Sequence, residues 1–174
     1  MNAMKLLIAA LMVLVTLGGS AMAASSTTQV SASLSPYISL AVPSSISGWI
    51  LNQGDNTLPP ISGLAVSSNA PWHIFVQSAK NMPDPGNDYF GHFWSQSAYN
   101  ANFGVNDHGK GFLMNPLVLS VGSVDVTLSD DSAPLVSGTT LGSIPVSLGM
   151  KQKVGMSDPA ENDYRIVIQF TASN

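Results

Sequence analysis

From Val30 to Val42 the chain alternates without a break. Val30, Ala32, Leu34, Pro36, Ile38, Leu40 and Val42 are apolar or proline, and Ser31, Ser33, Ser35, Tyr37, Ser39 and Ala41 fall between them. A period of two is the mark of a strand with one face covered and one face wet. The same period returns near the end of the chain. Tyr164, Ile166, Ile168, Phe170 and Ala172 share one face, and Arg165, Gln169 and Thr171 share the other, with Val167 as the exception. Shorter apolar or alternating runs predict strands over 47–51, 64–68, 72–78, 113–121, 124–129, 144–148 and 150–154. Turn residues separate them: Gln53-Gly54-Asp55-Asn56, Ser68-Asn69-Ala70-Pro71, Gly122-Ser123, Asp130-Asp131-Ser132 and Ser157-Asp158-Pro159. Gly122-Ser123 is short enough for a tight hairpin. Helical periodicity is almost absent. The pattern predicts one all-β domain, an antiparallel β-sandwich of jelly-roll or immunoglobulin-like plan.

The first residues carry a different pattern. Lys5 precedes an apolar run from Leu6 to Leu17, Gly18-Gly19-Ser20 breaks it, and Ala21-Met22-Ala23 follows. A positive start, a short apolar stretch and an A-x-A site predict a secretory signal peptide over 1–23. The run is shorter than the ~20 residues that span a bilayer. No cysteine is present to take a lipid. The expected organisation is a signal peptide (1–23), an N-terminal extension or donor strand (24–35) and the sandwich (36–174). The expected location is secreted, at the cell surface or in a matrix, with no membrane insertion after cleavage.

Composition narrows the classes further. Charged residues make up 9% of the chain, and the net charge is −4. With so few basic residues, nucleic acid is a poor partner, because phosphate neutralisation dominates such binding. Low charge opposes self-association only weakly. The absence of cysteine excludes disulfide scaffolds, thiol catalysis and zinc–thiolate sites. Neither G-x-S-x-G nor H-E-x-x-H occurs, and the only glutamate is Glu161. No catalytic residue is assigned, and an enzyme is not expected.

One stretch fits no period. Residues 79–111 read AKNMPDPGNDYFGHFWSQSAYNANFGVNDHGKG. Connections of this length are uncommon in compact domains, and its aromatic content argues against disorder. It predicts a long aromatic-rich loop packed over the sandwich, with a short helical turn near 93–99. Tyr89, Phe93, Trp94 and Tyr99 offer flat faces on which a sugar ring could stack. The reading preferred for them is a satellite hydrophobic cluster that pins the loop. Asp84 and Asp88 place oxygen ligands close together, as Ca²⁺ requires, without the spacing of a known calcium loop. No other cofactor is expected.

The opening alternation leaves two readings. Residues 30–42 supply two successive strands of one sandwich, bent at Pro36, where a ladder donor is missing. Otherwise Val30, Ala32 and Leu34 form an assembly strand that joins the sheet edge of a neighbouring copy. Head-to-tail contacts of that kind do not close, and they build filaments.

The runs ISLAVPSSISGWIL, LAVSSNAPWHIFV, FLMNPLVLSV and MKQKV, with YRIVIQFTAS, resemble a group of small secreted β-sandwich proteins of archaea and some bacteria. The resemblance covers roughly residues 33–173, and its motifs mark turns and core strands. It implies fold and location and carries over no catalytic residues. In general plan the chain is similar to donor-strand matrix filament proteins of bacterial biofilms and to archaeal bundling-pilus subunits. Chaperone–usher pilins share strand donation but usually carry a disulfide, which this chain lacks. The implied role is a structural surface or matrix protein whose partner is itself or another surface protein. The alternative is a monomeric module that binds carbohydrate or another surface polymer through the 89–103 aromatics.

Overall fold

The computed structural model describes residues 29–79, 90–102 and 111–174. The expected signal peptide, Tyr89, Phe103, Asp84 and Asp88 lie outside them. So does much of the long loop. The chain divides into two compact units, Met1–Leu34 and Ser35–Asn174.

Among its described residues, the second unit is all-β apart from one short helix. In chain order it contains β1 (Ile38–Ala41), β2 (Gly54–Ser68), β3 (Trp72–Ser78), α1 (Gln96–Asn102), β4 (Val118–Val121), β5 (Val124–Thr127), β6 (Ala133–Gly138), β7 (Gly142–Val154) and β8 (Ile168–Ser173). One sheet has the order β1-β2-β7-β4-β5, the other β6-β3-β8, and each pairing is antiparallel. Inward side chains from both sheets make one core, including Leu64, Val66, Ile74, Val76, Leu119, Leu135, Leu148 and Met150. Alternation explains the split. On β3, Trp72, Ile74, Val76 and Ser78 are buried, and His73 between them is exposed.

The long pair β2–β7 forms the spine of the larger sheet. Its register shifts between Leu58 and Ile61 and again between Ile61 and Leu64. Pro59 and Pro60 cannot donate to the ladder, so this stretch pairs irregularly instead of ending. The hairpin β4–β5 turns through Gly122-Ser123, with Val121 opposite Val124. Gly122 has φ +60, the left-handed geometry that two-residue hairpins demand.

The fold corrects several expectations. Residues 30–42 do not form one long strand, because only Ile38–Ala41 is paired. Residues 29–37 form neither strand nor turn. Residues 47–51 are not a strand; Trp49 instead packs edge-on against Phe93 with centroids 6.0 Å apart. Asn56, expected in a turn, lies within β2. Its side chain accepts from the Asn52 N–H (2.8 Å) and donates to the Asn52 carbonyl (2.6 Å), closing the bend just before the strand. The runs at 144–148 and 150–154 fuse into β7, and β6 was not anticipated.

Candidate functional site

Three places in the described residues are candidates, and the first two hold side chains singled out by the sequence. The first is the entry to β1. Asn69, just beyond β2, extends the β1–β2 pairing by means of its side chain. The Tyr37 N–H donates to Asn69 Oδ1 (2.6 Å), and Asn69 Nδ2 donates to the Ser35 carbonyl (3.0 Å). The Asn69 N–H donates to the Tyr37 carbonyl (3.2 Å). The Ser68 hydroxyl lies 3.1 Å from that carbonyl and 3.2 Å from Asn174 Oδ1, so the end of β8 sits beside the start of β1. Immediately upstream, Val30 is 87% exposed and Leu34 is 84% exposed, and Ala32 is exposed too. These are the three residues expected to form an assembly strand.

The second place is the aromatic segment. Trp94 is 1% exposed and clusters with Phe112 and the partly buried Tyr99. Its backbone exchanges two hydrogen bonds with Arg165 (2.9 and 2.8 Å), and the Arg165 guanidinium stands 4.2 Å over its ring. Phe93 packs on the main core. The rings therefore hold the segment against the C-terminal stretch, and Trp94 presents no face to a sugar. Its indole N–H is buried without a hydrogen-bond partner.

The start of α1 is fixed by the same contacts. Ser95 is the N-cap, accepting from the Ala98 N–H (3.0 Å), and its hydroxyl donates to Asp163 Oδ1. Asp163 Oδ2 accepts from both the N–H (3.0 Å) and the hydroxyl (3.1 Å) of Ser97. The Ser95 hydroxyl, and then the Ser97 groups, hold the Asp163 carboxyl below its ordinary pKa against the opposing effect of burial. Nearby, burial and then the charges of Asp158, Glu161 and Asp163 push the Tyr164 phenol up to about 12. Its hydroxyl donates to the Pro159 carbonyl (2.7 Å). His92 Nδ1 donates to the Leu113 carbonyl (2.7 Å) and so carries the proton.

The third place is a shallow groove of roughly 470 Å³ on the larger sheet, lined in part by Asp55, Thr57, Thr127, Lys151 and Lys153. The Lys151–Asp125 ion pair (2.6 Å) is half-exposed, and such pairs stabilise little. Among the described residues no three His, Asp or Glu side chains converge as a metal site would need. No helix among them is long and apolar enough to cross a membrane.

No protein-family model, curated protein or solved structure matches this chain. The geometry of the chain itself therefore carries the functional argument.

Proposed function

We propose that this chain is an exported, non-enzymatic structural protein of the cell surface or extracellular matrix. It works as a filament subunit whose N-terminal segment joins the sheet of a neighbouring copy. The observation that carries the reading is the state of residues 30–34. They have the alternation of a half-buried strand, yet Val30 and Leu34 stand in solvent and the segment is not paired among the described residues. Burying a Val or Leu side chain is worth about 1.5–3 kcal/mol. A strand-forming segment with two such side chains in water is driven toward any matching sheet edge. The low charge of the chain offers little repulsion between copies.

Deleting residues 24–34 tests this. The truncated chain is expected to keep its fold and lose assembly, read by light scattering and by circular dichroism. Undiminished polymers from the truncated chain would rule out strand donation.

A further inference from the structure

The two lateral sides of the sandwich are closed to different degrees. On the side of β5 and β6, Val126, Leu128 and Leu135 are buried, with Ala133 and Val136 partly covered beside them. On the side of β1 and β8, Ile38, Leu40, Ile168 and Phe170 all pack on the core, and none is fully buried. The sheets are unequal, with five strands facing three. Among the described residues, the cover over the larger sheet is thinner at its β1 edge, where Ile38 and Leu40 are only partly buried.

Among the described residues, no strand pairs with β8 on the side away from β3. The Ala79 N–H donates to the Val167 carbonyl (2.9 Å), and the register continues through Ser78–Ile168 and Gln77–Gln169. Antiparallel ladders alternate, so Gln169, Thr171 and Ser173 turn their polar backbone groups toward β3. Ile168, Phe170 and Ala172 turn theirs toward the free edge. The Ser78 N–H, opposite Ile168, bonds the Ser129 carbonyl (2.6 Å) instead of β8, as that alternation requires.

Building on the proposed function, we propose that the free edge of β8 is the acceptor site. Its occupant is residues 30–34 of a second copy of this chain. Added there, the segment becomes the fourth strand of the smaller sheet. Val30, Ala32 and Leu34 match the spacing of Ile168, Phe170 and Ala172, each set covering about 13 Å at ~3.3 Å per residue. Their side chains then cover Ile38 and Leu40 of β1. Addition to β1 would only lengthen a sheet that already overhangs its partner. The three Asn69 bonds keep Ser35 and Tyr37 in register with β2, and residues 35–37 form no turn. No hairpin turn is formed at residues 35–37, and a second copy is the donor we propose.

The native chain has no cysteine, so single introduced thiols report the contact cleanly. Opposed Cβ atoms on adjacent strands lie ~4.5–5.5 Å apart, within reach of a disulfide after small adjustment. Proteins expressed from the full-length gene with Ser33→Cys are mixed with copies carrying Gln169→Cys or Thr171→Cys, on the outward face of β8, and oxidised. Copies with Ser137→Cys on the outward face of β6 serve as the comparison. Disulfide dimers are expected with one of the β8 variants and only background with β6. Cross-linking that favours β6, or that is equal at both edges, overturns the acceptor assignment. If residues 24–34 remain necessary for polymers in that case, strand donation itself survives. Absence of both polymers and cross-links defeats the acceptor site together with the reading on which it rests.

Discussion

At the C-terminal end, β8 lies along β3 from Ile168 to Ser173, and its apolar face rests on the core. At the N-terminal end, β1 pairs over four residues, and the alternating stretch before it stands in solvent. Both regions carry the same period of two. The difference teaches that alternation specifies an amphipathic strand but does not supply the second sheet it needs. For β8 the partner is β3 in the same molecule. For residues 30–34 no pairing is present among the described residues, and the edge of β8 is the partner we propose for them.

The largest expected effects set the two regions against each other. Phe170→Ala removes a ring that packs on the core, and a loss of about 2–3 kcal/mol in chemical denaturation is expected, below the ~3–5 for a fully buried ring. Leu34→Ala, by contrast, is expected to change the stability of the isolated subunit by under about 0.5 kcal/mol, as exposed positions do, while weakening assembly. Equal destabilisation by the two would erase the comparison. Next comes the joint between the regions. Asn69→Ala removes two side-chain hydrogen bonds to Ser35 and Tyr37, each worth about 0.5–1.5 kcal/mol. Hydrogen exchange is expected to quicken at the Tyr37 amide and to stay slow at Ile74 in β3.

Smaller effects sharpen the C-terminal side. Ser95→Ala removes the N-cap of α1 and the bond to Asp163, for an expected loss of about 1 kcal/mol, measured by thermal melting. Because the Asp163 pKa is lowered in the fold, its stabilisation is present above the ordinary carboxylate range. It fades as pH falls through the lowered value. In Ser95→Ala that acid-side loss should shrink. Tyr164 gives the opposite sign. Its pKa is raised to about 12, so its contribution is intact below the ordinary value of 10.0 and is lost as pH rises from there toward 12. Ultraviolet titration of the phenol, compared with Tyr164→Phe, checks this. Ionisation of Tyr164 near 10 would contradict the buried environment.

Much of the fold was legible because alternation and turn chemistry agree. Strand β3 has the bounds its pattern implies, and the Gly122-Ser123 hairpin falls where expected. The misses have physical reasons. Pro59, Pro60 and Gly63 punctuate β2 like a loop, yet the strand continues through them by shifting register. Strand β6 contains Pro134 and Gly138, and its register also slips, between Ile74 and Phe75 of its partner, so no clean period remains. Of the proposed site, Val30, Ala32 and Leu34 stand out by period, while the proposed acceptor edge depends on strand order, which is not written locally. Burial of Trp94 was equally hidden, since it rests on Arg165 and Phe112, which are distant in sequence.

The most direct test of the central claim is the mass distribution of the purified protein by light scattering, with negative-stain microscopy of the same sample. The account predicts filaments or an open series of oligomers, lost when residues 24–34 are removed. A single monomeric species that persists across salt and calcium concentrations would contradict it.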